Sequence, residues 1–130
     1  MKNKSYNYKK FAQHIKKLRH SLEFYRKNHQ HPERVLNAYR NICEAAFSQN
    51  RLERDLARSI VETFQIFPLK AGPKGRKHTA HSFLLDYELG KIKSSKELEK
   101  GMNGVCGDLG MMIMKMYDLD QVSSEINENL

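Results

Sequence analysis

Apolar residues recur at steps of three and four over most of this chain, the spacing of helices that bury one face. The most regular run consists of Tyr8, Phe11, Ile15, Leu18, Leu22 and Tyr25. Between them lie Lys9, Lys10, Lys16, Lys17 and Arg19. The pattern predicts a first helix over residues 6–28, with a narrow apolar stripe against a bundle and basic residues on its other faces.

The same spacing predicts three more helices, over residues 32–48, 50–66 and 78–90. Pro32 suits the first turn of a helix, and Pro68 ends the third one. Thr79 is a candidate N-cap and Gly90 a candidate C′ residue of the fourth. The apolar faces comprise Val35, Leu36, Tyr39, Ile42, Cys43, Ala46 and Phe47; Leu52, Leu56, Ile60, Val61, Phe64 and Phe67; and Ala80, Phe83, Leu84, Tyr87 and Leu89.

The least polar segment carries a glycine at every third position, at Gly101, Gly104, Gly107 and Gly110. Its apolar spacing predicts helix over residues 98–117, with Ser94 or Ser95 as N-cap. If the helix is continuous, the glycines form a smooth strip that a neighbouring helix or a ligand can approach closely. The alternative is that Asn103-Gly104, a turn signal, separates two helices. We favour a broken or kinked segment.

These segments predict an all-α, single-domain bundle of four to five amphipathic helices with short loops over residues 1–130. A chain of 130 residues is the usual length of one domain. Residues 1–5 and 120–130 are polar and are expected to be loosely held. Residues 60–67 are β-branched and aromatic, but no partner strand is evident, so no sheet is expected.

The net charge of +8 is concentrated in one part of the chain. Residues 1–40 carry 11 Lys or Arg and two Glu (11 − 2 = +9), whereas residues 41–130 carry 12 basic and 13 acidic residues (12 − 13 = −1). This asymmetry indicates an acidic partner, which is nucleic acid, an anionic membrane or an acidic protein surface. The plain alternative is a solvated helix face.

The loop over residues 70–78 is also basic, with Lys70, Lys74, Arg76 and Lys77. It lacks the spacing of a Walker A motif. The first predicted helix contributes Lys9, Lys10, Lys16, Lys17 and Arg19. If the loop and the helix lie on the same side of the bundle, they form one basic surface suited to nucleic acid. Otherwise they are an exposed loop and a solvated face.

Cys106 is the candidate nucleophile. In the broken-helix interpretation it lies at a helix N-terminus, where the dipole lowers the pKa of a thiol. His78 or His81 would be the base, and Asp86 or Asp108 the orienting acid. Alternatively, Cys106 is a small apolar core residue. His78 and His81 have the spacing of two metal ligands but no clear third, so neither a metal site nor a cofactor is expected.

Methionines surround much of the last predicted helix, at Met111, Met112, Met114 and Met116. They cannot all face one core, and flexible thioethers suit adaptable partner surfaces. Met111, Met112 and Met114, together with Gly101 and Gly104, are therefore candidates for a docking face. A core helix wrapped on both sides is the alternative.

The leading hypothesis is a non-enzymatic helical protein-interaction module: a small adaptor, inhibitor or effector-type domain. The second is a nucleic-acid-binding protein, and the third is a thiol enzyme centred on Cys106. A protein partner or a homodimer fits the first hypothesis. The chain contains no apolar run that would span a membrane and no signal-peptide pattern, so a cytoplasmic protein, or one exported without a cleavable signal, is expected. The Lys, Asn and Ser bias is typical of many bacterial proteins.

Overall fold

The computed structural model describes the backbone of residues 2–69 and 78–116 and the side chains of residues 10–69 and 78–113. Most of this part of the chain is helical and very little is strand, which confirms the predicted all-α bundle. The helices are α1 (Lys2–Asn28), α2 (Pro32–Ala45), α3 (Arg51–Ile66), α4 (Ala80–Glu88), α5 (Ser95–Gly104) and α6 (Gly110–Met116), with a π-helical turn (Val105–Leu109) between the last two.

The stripe predicted for the first helix is the side of α1 that enters the core. Its described members, Phe11, Ile15, Leu18, Leu22 and Tyr25, are all buried. The side chain of Tyr8 lies outside the described residues. Small residues on the same helix, including Ala12, are buried beside the stripe.

α1 and α2 form an antiparallel pair. The Arg34 guanidinium near the start of α2 lies over the ring of Phe24 near the end of α1, 5.2 Å from its centroid. At the other end, the charges of Glu44 and Lys10 both act on His14. The connection between the helices contains two residues with positive φ, His29 and His31. The pair therefore aligns one face of each helix along a common groove.

α3 packs on α2 through stacked aromatic rings. The centroids of Phe64 and Tyr39 are 4.2 Å apart with an interplanar angle of 18°. Asn50 caps α3, because its side-chain oxygen accepts a hydrogen bond of 3.0 Å from the backbone N–H of Glu53. The Arg58 side chain donates to the carbonyl of Ala46, which fixes the turn between α2 and α3.

Three residues predicted to be buried are instead exposed. Phe47 is 84% exposed, Leu89 59% and Leu52 38%. Phe47 and Leu89 follow the last residues of α2 and α4, and Leu52 lies in the first turn of α3. Periodicity predicts a face only while the helix continues, which explains Phe47 and Leu89 but not Leu52, and the prediction was wrong at all three positions.

A short strand pair was not expected from the sequence. β1 (Pro68–Leu69) pairs antiparallel with β2 (His78–Thr79), with Pro68 opposite Thr79. Pro68 ends α3, and the chain returns through residues 70–77, which lie outside the described part. The expectation of no sheet was therefore wrong by this one pair.

The ends of α4 follow the predicted local chemistry. Thr79 and Ser82 form a capping box, in which each side chain accepts a hydrogen bond from the other's backbone N–H. Gly90 follows α4 with a φ of 73°, a conformation that favours glycine. Both assignments made from the sequence are confirmed.

The glycine-containing segment is one helical run, and the interpretation with two helices separated by a turn is wrong. Ser94 is the N-cap of α5. Gly104 has φ −64° and ψ −45°, so Asn103-Gly104 forms no turn. The break in regularity is a π-helical turn, which inserts one residue without ending the helix.

The four glycines do not share one role. A Cβ on Gly101 would lie 2.2 Å from ring carbons of Phe83, and a Cβ on Gly104 would lie 2.8 Å from a terminal methyl of Leu69. At Gly107 a Cβ would meet nothing within 4 Å, and at Gly110 only ordinary contacts. Gly101 and Gly104 thus allow α4 and β1 to pack closely against this helical run. Packing does not require glycine at Gly107 or Gly110.

Candidate binding groove

A groove of about 610 Å³ lies between α1 and α2. It is lined by Lys16, Lys17, His20, Ser21, Phe24, Arg34, Asn37, Ala38 and Asn41. On α1 these positions recur at each turn, and on α2 they follow steps of three and four. One continuous face of each helix therefore forms each wall.

Small residues form the floor of the groove. Ser21 and Ala38 are 7% and 4% exposed. The Ser21 hydroxyl donates a hydrogen bond of 2.9 Å to the carbonyl of Leu18 and so satisfies its own donor. Longer polar side chains then stand on both sides of this floor.

Both ends of the groove are cationic. Lys16 and Lys17 stand at one end and Arg34 at the other, and all three are exposed. None of the described residues that line the groove carries a carboxylate. The formal charges on the described walls are therefore all positive, which favours an anionic ligand.

Phe24 lies at the Arg34 end, and its ring is already in contact with other groups. The Arg34 guanidinium lies over it, and the His31 ring is tilted against it with centroids 5.8 Å apart. The cation–π contact orients the guanidinium. A rigid, planar cation of this kind suits bidentate contact with a carboxylate or a phosphate.

Of the basic residues predicted from the sequence, only some belong to this groove. Lys16 and Lys17 line it. Arg19 is not among its lining residues and forms an ion pair of 3.3 Å with Glu23. Lys10 is exposed and influences His14. The side chains of Lys9, Lys70, Lys74, Arg76 and Lys77 lie outside the described residues, so a shared surface between the loop and α1 stays a prediction.

His14 lies on α1 next to the groove. Burial lowers the pKa of His14, and the charges of Lys10 and Lys17 lower it further, while Glu44 acts in the opposite direction. Its Nδ1 is buried and has no hydrogen-bond partner among the described residues. The fold therefore disfavours the protonated form of this imidazole, which lies between two lysines.

This environment predicts a pH dependence of stability. The pKa of His14 is lowered on folding from 6.5, so below that pH the unfolded chain binds its proton more readily than the folded one. The destabilisation is expected to grow as the pH falls from about 7 to about 5. In urea titrations, His14→Gln should lose less stability over that range than the parent protein.

The matched control is His20→Gln, which removes an exposed histidine from the same helix. It should lose stability with falling pH as the parent protein does. Equal pH slopes for the parent protein and His14→Gln would contradict the assignment.

A second, smaller groove of about 260 Å³ lies between α2 and α4. The Tyr39 hydroxyl and Nδ1 of His81 are 2.8 Å apart there, and Arg40 pairs with Glu88 at 3.3 Å. Burial raises the pKa of both Tyr39 and Cys43. Its polar groups are thus matched to each other, which leaves less net charge for a ligand than in the α1–α2 groove.

The structure contradicts the predicted activation of Cys106. The residue lies inside the π-helical turn rather than at a helix N-terminus, and burial raises the pKa of its thiol to about 12. Asp108 is exposed, whereas Cys106 is buried. His81 makes its hydrogen bond with Tyr39. Cys106 therefore acts as a small core residue.

The candidates for a docking face on the last helices do not share one exposed surface. Gly101 is buried against Phe83, so the proposal that it docks a partner is wrong. Gly104 is half-buried beside Leu69, and Met112 is half-buried against the core. Met111 is 46% exposed, and the side chain of Met114 lies outside the described residues.

Comparisons with protein families, curated proteins and solved structures give no match. Within the described residues, no three His, Cys, Asp or Glu side chains are arranged to hold a metal ion. No described helix is long and apolar enough to cross a bilayer. The functional proposal therefore depends on the geometry of the groove.

Sequence reasoning missed most residues of the second wall. The missed residues on α2 are Arg34, Asn37 and Asn41. On the α1 wall, His20 and Phe24 were also missed. The α2 residues follow steps of three and four, so the sequence alone could have predicted a polar face on this helix. What the sequence lacked was the information that this face adjoins the basic side of α1.

Proposed function

We propose that this protein is a non-enzymatic interaction module that binds an acidic segment of a partner protein in the α1–α2 groove. The observation that carries the proposal is a groove with lysines at one end, an arginine at the other and no carboxylate among its described lining residues. Electrostatic complementarity selects partners by charge and speeds their association. An acidic segment is the complementary ligand.

The groove's amides favour a polypeptide. Asn37 and Asn41 each offer a donor and an acceptor on one side chain, which matches the N–H and C=O of a peptide group. Neither amide has a hydrogen-bond partner elsewhere in the described part of the chain. They are available to a ligand that lies along the groove.

Nucleic acid is less well matched to this site. Single-stranded nucleic acids bind grooves in which bases stack on free aromatic faces. Phe24 is the largest ring among the described lining residues, and Arg34 and His31 already contact it. Phe24 is therefore not a free stacking platform, and the two amides suit a peptide backbone, so a peptide is the ligand we propose.

Charge reversal at the lysine end tests the proposal. The probe is a fluorescently labelled peptide of alternating glutamate and serine, followed by anisotropy at low salt, about 50 mM, where screening is weak. Lys16→Glu combined with Lys17→Glu should weaken binding about tenfold or more, equivalent to about 1.4 kcal/mol. The reason is that two attractive contacts become repulsive.

The matched control carries the same change in net charge away from the groove. Lys93→Glu combined with Lys100→Glu alters two exposed lysines outside the described lining of the groove and should leave binding nearly unchanged. Equal weakening by both pairs would show a general charge effect and contradict a groove site. Tighter binding of a single-stranded oligonucleotide than of the peptide would assign the groove to nucleic acid.

A further inference from the structure

The spacing of the two asparagines predicts a more specific ligand than an acidic segment in general. Asn37 and Asn41 are one helical turn apart, about 6 Å along α2. In an extended chain, peptide groups on the same side recur every two residues, about 6.6–6.8 Å. The two amides therefore match alternate peptide groups of one extended strand.

The cations define a second, longer spacing. On α1, Lys16 and Lys17 lie seven to eight residues before Phe24, whose ring Arg34 covers. This separation is about 11–12 Å along the helix. On an extended chain, two carboxylates four residues apart lie on the same side and are separated by about 13 Å. A spacing of two residues separates them by about 7 Å or less, and a spacing of three places them on opposite sides of the chain.

Building on the proposed function, we infer that the groove binds an extended segment with two acidic residues four positions apart. One carboxylate pairs with Lys16 and Lys17 and the other with Arg34. Asn37 and Asn41 form hydrogen bonds with two alternate peptide groups of the ligand, which lie between its two acidic residues. The groove thus recognises the spacing of the two acidic residues and the peptide backbone between them. The side chains between the two acidic residues contribute little to binding.

The test compares peptides of identical composition. Each carries two glutamates in a serine and glycine background, placed two, three or four residues apart, and is titrated into the full-length protein by calorimetry. The four-residue spacing should bind about three- to tenfold more tightly than the others. N-methylation of the two peptide amides opposite the asparagines should weaken binding of that peptide by a similar factor, since each loses its N–H donor.

Substitution of the asparagines supplies the second arm. Asn37→Ala combined with Asn41→Ala should weaken the four-residue peptide several-fold and remove the effect of N-methylation. The control, Gln65→Ala, removes an exposed amide from α3 and should change nothing.

The outcomes separate this inference from the proposed function. If all spacings bind equally and binding still responds to Lys16→Glu with Lys17→Glu, the inference fails while the acidic-segment function stands. If no acidic peptide binds at all, the proposed function fails as well. Loss of N-methylation sensitivity in the asparagine variant supports the inference, and unchanged sensitivity overturns the role of the two amides.

Discussion

Phe64→Ala is expected to lower the free energy of unfolding by about 3–5 kcal/mol. Phe64 is fully buried and stacks on Tyr39 with ring centroids 4.2 Å apart. Truncation removes the buried ring and leaves a cavity between α2 and α3, and loss of the aromatic pair adds to the cost. Urea denaturation followed by circular dichroism measures the change.

The matched control is Phe47→Ala. Phe47 is 84% exposed, so its removal should change stability by no more than about 0.5 kcal/mol. Phe64→Leu, a milder change, should fall between the two variants and remains measurable if Phe64→Ala does not fold. A loss below about 1 kcal/mol for Phe64→Ala would contradict the packing of α3 on α2.

Gly101→Ala should lower the free energy of unfolding by about 1–3 kcal/mol, although alanine is the better helix former. A Cβ would lie 2.2 Å from two ring carbons of Phe83, which is 2% exposed and has little room to move. The strain of displacing a buried ring exceeds the gain of about 0.5–1 kcal/mol in helix propensity. Urea denaturation again measures the change.

Gly107→Ala is the control within the same helical run. A Cβ there meets nothing within 4 Å, so alanine should raise the free energy of unfolding by about 0.5–1 kcal/mol. Phe83→Leu should destabilise the Gly101→Ala variant less than it destabilises the parent protein, because the smaller side chain makes room for the methyl group. Changes of the same sign at Gly101 and Gly107 would contradict the close approach of α4.

The helices and their caps could be read from the sequence because local chemistry decides them. The stripe on α1 is buried as predicted, and Thr79, Gly90 and Ser94 occupy the predicted cap positions. Hydrogen bonds to orphan backbone groups involve residues three or four apart, so a short window contains the whole signal. These features required no knowledge of the rest of the fold.

The course of residues 95–116 could not be read in the same way. Asn103-Gly104 is compatible with a turn, but the backbone stays helical through Gly104. The deciding contact is between Gly101 and Phe83, which are distant in sequence. Propensity is a weak prior that tertiary packing overrides.

For a related reason, the sequence predicted some residues of the α1 wall of the groove but none of the α2 wall. Lys16 and Lys17 were recognised as candidates because the first third of the chain is so basic. Arg34, Asn37 and Asn41 were not, because their role depends on the antiparallel placement of α2 beside α1. The strand pair was missed in the same way, since it joins residues on either side of the 70–77 segment.

Titration of the isotopically labelled protein with the peptide that carries two glutamates four residues apart, followed by NMR of the backbone and asparagine amides, tests the central claim most directly. Binding in the α1–α2 groove predicts that the largest shifts fall on residues 16–24 and 34–41, including the side-chain amides of Asn37 and Asn41. Shifts concentrated instead on the α2–α4 groove or around Met111, with these residues unchanged, would contradict the account.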